Sequence, residues 1–174
     1  MDEIINRVAT SPLITIDLED FYTKGDRMAL DIKDQLFQGI ILKEKDFRDF
    51  IKSHDWSKYQ DKNVAIICSA DAIVPTWAYM LLSIALQPYA ATVVFGSVAE
   101  LESYLFSQAI SAINWEQYRG AKVVIKGCSK VQVPTSAYVE VTSRLRPLAA
   151  SIMYGEACST VPLYKKGKTE PNGE

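Results

Sequence analysis

The sequence predicts an α/β fold: a mostly parallel sheet built from two repeated βαβ units, at about 62–96 and 121–156, with a small β-rich N-terminal layer. Three observations lead there. The hexapeptide VPTWAY at 74–79 nearly recurs as VPTSAY at 133–138, and over 74–96 against 133–155 ten of 23 positions are identical. A short β-branched run ending in Cys-Ser precedes each copy, VAIICS at 64–69 and VVIKGCS at 123–129; the two match once a one-residue difference in loop length is allowed. Proline and glycine then punctuate both copies at the same places, Pro75 and Pro134, Pro88 and Pro147, Gly96 and Gly155.

Taken from the N-terminus, LITIDL (13–18) alternates as a half-buried strand, and RMALDI (27–32) and FQGIIL (37–42) read as two more, with TKGD turning between the first pair. These form the N-terminal layer. Phe47, Phe50 and Ile51 mark one face of a short helix at about 44–54. The runs at 64–67 and 123–125 are strands of the kind buried on both faces of a parallel sheet. Pro75 and Pro134 suit a first helical turn, where a missing N–H costs nothing, and the adjacent Thr76 and Thr135 are placed to cap it. Pro88 and Pro147 end those helices after about three turns. Strands follow at 92–95 and 151–154, each closed by glycine. Between the copies, 97–113 is a crossover helix with Ser97 as N-cap and Leu101, Leu105, Ala109 and Ala112 on one stripe. After Cys158, STVPLYKK returns as an edge strand, since Pro162 does not suit a central one. GKTEPNGE, within 166–174, is a flexible tail.

Size and charge bound the rest. At 174 residues and 48% hydrophobic, residues 1–165 are expected to fold as one domain, with 1–60 as the β-rich layer and helix and 62–156 as the duplicated core. The 19 basic and 21 acidic residues are interspersed, so no basic footprint for nucleic acid exists. MDEIINRVAT lacks the positive start of a signal peptide. WAYMLLSIAL (77–86) is half of the roughly 20 residues that span a bilayer and reads as a buried core helix. The expected location is cytoplasmic, with no membrane contact.

Three cysteines give no closed disulfide framework. Cys68, Cys128 and Cys158 each fall at or just beyond a predicted strand end, which in one parallel sheet is the ligand-binding edge. Two helix N-termini, at Thr76 with Ser69 and at Thr135 with Ser129, would present anion-binding N–H groups to the same edge. Three thiolates there suit zinc, with Asp71, Glu156 or water as fourth ligand, or an iron–sulfur cluster with one position left open. The bland alternative is that the cysteines are packing residues.

Other candidates carry less. His54, the only histidine, ends a surface helix, where a cation complements the helix dipole, and its solitude excludes a two-histidine metal site. Asp17, Glu19 and Asp20 are a carboxylate cluster or a solvated strand end. Gly39, Gly96, Gly127 and Gly155 form no phosphate loop or dinucleotide fingerprint, and no nucleophile elbow is present.

LITIDLEDFY, LFQGIILKEKDFR, CSADAIVPTWAYMLL, VVIKGCSK and GEACSTVPLYKK together resemble an uncharacterised bacterial family classed as a domain of unknown function, over nearly the whole chain. The resemblance implies genes lying near those of the sulfur-mobilisation pathway of iron–sulfur assembly, and hence cluster or sulfur chemistry at the three cysteines, with assembly proteins as partners. A cluster is then the first expectation and zinc the second. Two other classes stay open: an enzyme with one activated cysteine, Cys68 or Cys128, acting on an anionic or persulfide substrate; and an interaction module whose apolar helix 76–87 packs on a partner or in a homodimer.

Overall fold

The computed structural model describes residues 13–127, 130–156 and 159–167. The chain is α/β, with mostly parallel strands, divided between two sheets. It separates into two compact units: Thr23–Leu105, here the inserted unit, and Met1–Tyr22 with Phe106–Glu174, the flanking unit.

In the inserted unit, β2 (Arg27–Asp31), β3 (Asn63–Ile67) and β4 (Thr92–Phe95) form a parallel sheet with β3 central. Helices α1 (Glu44–Ser53) and α2 (Thr76–Leu86) cover one face. Val64 and Ile66 point into that core with Phe47, Leu82 and Leu86, whereas Ala65 faces Leu101 and Leu105 of α3 (Val98–Ser111). This is why VAII reads as a continuous apolar run: β3 is buried on both faces. Arg27 grips Glu102 with two parallel bonds, Nε to Oε2 at 2.7 Å and Nη2 to Oε1 at 2.8 Å, both side chains partly buried.

In the flanking unit, β1 (Leu13–Asp17), β5 (Lys122–Lys126) and β6 (Ser151–Glu156) pair in parallel with β5 central. An antiparallel edge strand, β7 (Ser159–Lys165), follows. The ladder is irregular beside Pro162, as a residue without an N–H requires. Helix α4 (Thr135–Leu145) packs Ala137, Val141 and Leu145 on Ile16, Val123, Ile125 and Ile152.

The duplication extends well beyond the helices. In β3–β4, Asn63 pairs with Thr92; in β5–β6, Lys122 pairs with Ser151, the same register shifted by 59. Ahead of each central strand, a tryptophan opens a short 3₁₀ turn and donates Nε1–H to the carbonyl five residues back, Trp56 to Ile51 at 2.8 Å and Trp115 to Ile110 at 3.0 Å. Asp55 and Asn114 cap these turns. Positive φ follows in both copies, at Asp61 and Gly120, and their N–H groups bond to the Tyr89 and Leu148 carbonyls.

Several expectations change. The β-rich N-terminal layer does not form: its first strand joins β5 and its second joins β3, one in each sheet. The third, 37–42, is a tight turn closed by the Phe37–Ile41 bridge, because Gln38 and Gly39 adopt positive φ. Pro75 and Pro134 take the N-cap positions, so neither helix has a side-chain cap and Thr76 and Thr135 are first helical residues. The crossover stripe turns: Leu101 and Leu105 are buried, followed by Phe106 and Ile110, while Ala112 is exposed. Ser97 does cap α3, in a reciprocal box with Glu100 whose carboxylate takes the Ser97 N–H at 2.7 Å. Helix α2 is buried along one face only, with Met80 and Ile84 exposed. No helix among the described residues is long and apolar enough to cross a membrane.

His54 is corrected too. Its ring lies 4.7 Å from Trp56 and 4.8 Å from Phe50 by centroids, and Nε2 is 3.3 Å from the Tyr59 hydroxyl. Burial, reinforced by the Lys58 charge against Asp55, pushes the imidazole below its ordinary value of 6.5, so the neutral ring is favoured over a dipole-complementing cation. The unfolded chain takes up this proton near 6.5 and the folded chain only at lower pH. The stabilisation is therefore complete above 6.5 and is lost progressively as pH falls below it. His54→Gln is expected to remove part of the stability decline on that acid side, read as urea midpoints of the variant and the parent protein across pH. Parallel curves would refute the assignment.

Candidate functional site

The three cysteine positions are not carried by one sheet edge. Cys68 follows β3 in the three-stranded sheet of the inserted unit, whereas Cys128 follows β5 and Cys158 follows β6, in the four-stranded sheet of the flanking unit. Convergence by a single sheet is thus replaced by one strand end in the inserted unit and two neighbouring strand ends in the flanking unit. Cys128, Ser129 and Cys158 lie outside the described residues. The two other proposed metal ligands divide likewise: Asp71 is exposed in the β3–α2 loop, and Glu156 ends β6. Among the described residues no group of three or more metal-ligating side chains is gathered.

Register also corrects the repeat. The strands 63–67 and 122–126 and the helices 76–86 and 135–145 all align at an offset of 59, so the intervening loops have equal length. Cys68 therefore corresponds to Gly127, and Cys128 to Ser69. The matching Cys-Ser pairs are one position out of phase.

In the inserted unit, Cys68 is half-buried, its Sγ 3.8 Å from the Ala70 carbonyl. Ser69 is already engaged: its N–H and hydroxyl both donate to the Asp31 carboxylate, which also takes the Lys33 N–H. Burial raises the Asp31 value, but the Ser69 hydroxyl and the two N–H groups outweigh it and hold the carboxyl below its ordinary range. Ser69 is thus a fastening for this loop rather than a free anion contact.

The flanking unit fastens its loop differently. Asp17 and Asp31 are the last residues of β1 and β2, and each accepts the N–H two residues on, from Glu19 at 3.1 Å and Lys33 at 3.0 Å. Asp17 also pairs with Lys126 Nζ at 3.2 Å. Glu19, where the inserted unit has Lys33, reaches the β5–α4 loop and takes the N–H groups of Lys130 at 3.1 Å and Val131 at 3.2 Å through one oxygen. The β5–α4 loop is thereby anchored at Lys130 and Val131. The sequence offered Asp17, Glu19 and Asp20 as a carboxylate cluster or a solvated strand end; in the structure Asp17 and Glu19 are loop anchors.

Above this sheet lies a cavity of about 390 Å³, lined by Ile125, Thr135, Tyr138, Thr142, Tyr154 and Leu163. Ile125 and Tyr154 are register partners near the carboxyl ends of β5 and β6, and Thr135 opens α4, so one end of the cavity lies at the edge where parallel α/β sheets bind ligands, while Thr142 and Leu163 extend it along α4 and β7. Tyr138 and Tyr154 meet edge to face at 5.9 Å. Burial, then the neighbouring Tyr154 and Asp17, raise the Tyr138 phenol above 10, which keeps it a neutral hydrogen-bond donor. Sequence reasoning missed both tyrosines, although Tyr79 and Tyr138 are among the ten identities.

Gly127 explains how the two copies diverge here. A Cβ at Gly127 would run into the Tyr138 hydroxyl, so any larger residue there has to displace this ring. At the matching place the inserted unit has Cys68, with Tyr79 against Phe95 at 4.9 Å and its phenol raised by burial and by Cys68. Gly127→Ala is expected to displace Tyr138 and destabilise the protein by about 1–3 kcal/mol, as overpacking does. The cost should shrink in a Tyr138→Phe background when both are measured by chemical denaturation. An equal cost in the two backgrounds would show that the hydroxyl is not the obstacle.

No curated protein and no solved structure matches the chain. One family does, over residues 2–166, and its description is a protein of unknown function. Because that match takes in both sheets, the cavity and all three cysteine positions, the chain belongs as a whole to the family DUF2480.

Proposed function

We propose that the protein binds a metal ion or an iron–sulfur cluster through thiols at the carboxyl edge of the flanking-unit sheet, as an accessory to cluster assembly. Cys128 and Cys158 are the principal ligands, and Glu156 is the nearby carboxylate. What supports the reading is the pairing of β5 with β6: Ile125 stands opposite Tyr154, and the chain places one cysteine three residues beyond the first and another four residues beyond the second. Neighbouring strands lie about 4.8 Å apart, close to the spacing of two sulfurs that share a metal at about 2.3 Å each. The gene neighbourhood implied by the family resemblance favours a cluster over zinc. Cys68 is a separate thiol in this scheme.

The test is protein purified without oxygen, assayed for iron, zinc and acid-labile sulfide and for visible absorbance. Cys128→Ser and Cys158→Ser are each expected to lose most of the bound metal, while Cys68→Ser retains it. Absence of metal from the parent protein, or loss that follows Cys68 alone, would overturn the proposal. A second reading, a cysteine enzyme, draws on the adjacent cavity of about 390 Å³. Metal-free protein whose Cys128 alkylates faster than an ordinary thiol at neutral pH would favour it.

A further inference from the structure

We infer that the protein is a symmetric homodimer joined through the outward face of α2 in the inserted unit. The helix TWAYMLLSIAL contains no charged residue. It buries Ala78, Leu82 and Leu86 completely, yet on the opposite side Met80 is 61% and Ile84 69% exposed, and Ile73, just ahead of the helix, is 92% exposed. Trp77 and Leu81, half-buried, border this stripe.

The duplication supplies an internal control. Helix α4 holds the same place in the same β-α-β topology, with its buried residues Ala137, Val141 and Leu145 at the matching positions. Where α2 has Trp77, Leu81, Ile84 and Ala85, α4 has Ser136, Glu140, Ser143 and Arg144. Glu140 and Arg144 form an ion pair at 3.3 Å along the helix, the ordinary dress of a solvated face. Only Val139, 62% exposed where α2 has Met80, is apolar on that side of α4, so the fold does not require the remaining outer positions of α2 to be apolar, and their apolarity serves contact with something else.

A second copy of the chain fits that face best. At a two-fold axis each side chain meets its own counterpart, so a charge near the axis faces itself. A helix without charges, flanked by neutral Thr76, Ser83 and Gln87, meets that condition, whereas α4 with Glu140 and Arg144 does not. The area also suffices. At about 200 Å² for a fully open residue of this size, Met80 and Ile84 expose about 260 Å² per protomer, to which the exposed Ile73 on the preceding loop and the half-buried Trp77 and Leu81 add, which brings a pair to the order of the roughly 1,000 Å² of a specific interface.

Sedimentation velocity of the full chain from about 1 to 100 µM, the range where an interface of this size associates, is expected to give twice the 19.5 kDa chain mass at the upper end. The double substitution Met80→Glu with Ile84→Glu should leave a monomer with the parent's circular dichroism, and the matched pair Val139→Glu with Ser143→Glu on α4 should leave the dimer intact. An independent readout is Ile84→Cys treated with a short bismaleimide, in which a peptide joined 84 to 84 between chains is expected by mass spectrometry. This holds even if the double variant fails to fold. A parent protein monomeric throughout, a dimer that survives the α2 charges, one broken equally by the α4 pair, or no 84-to-84 link would each overturn the inference.

Discussion

A βαβ unit by itself leaves one edge of its first strand without partners, and in this chain that strand cannot tolerate it. Val64, Ala65 and Ile66 of β3, and Val123, Val124 and Ile125 of β5, are at most 2% exposed, so unpaired backbone N–H and C=O groups along them would be buried without water. The two N-terminal strands meet this need. β1 pairs with β5 and β2 with β3, each over five residues, so that β5 and β3 each become the central strand of three parallel strands, to which the flanking unit adds the antiparallel β7. The apparently loose first third of the sequence is thus committed to the duplicated remainder. It also explains the chain order, in which β1 and β5 of one unit are separated by the whole of the other.

With the architecture held constant, the differences between the copies become informative. One copy fastens its β-α loop with Asp31 and Ser69, the other with Glu19 and the N–H groups of Lys130 and Val131. One has Cys68 at the position where the other has Gly127, whose missing side chain leaves room for the Tyr138 hydroxyl. The flanking unit alone adds β7 after Glu156, and it has the cavity lined by two tyrosines. The inserted unit alone turns an uncharged helix outward. The two units thus share a framework and differ in their loop anchors, in the cavity beside β6 and in the charge of the outward helix face.

The sequence by itself determined the local elements. Helices begin at Thr76 and Thr135 and end before Pro88 and Pro147, and the strands 64–67, 92–95 and 123–125 form, because proline geometry, β-branched runs and glycine act within a few residues. The edge strand at Pro162 and the Ser97 cap were legible for the same reason. Tertiary structure decided what no local pattern encodes: which strand pairs with which. Strand pairing is a hydrogen-bond relation between segments up to about a hundred residues apart, and LITID, RMALD and VAII carry no label for their sheet. From that choice followed the rest of the site. Register, rather than likeness of letters, aligned Cys68 with Gly127, and it set Cys68 in one sheet while assigning the strands that lead to Cys128 and Cys158 to the other.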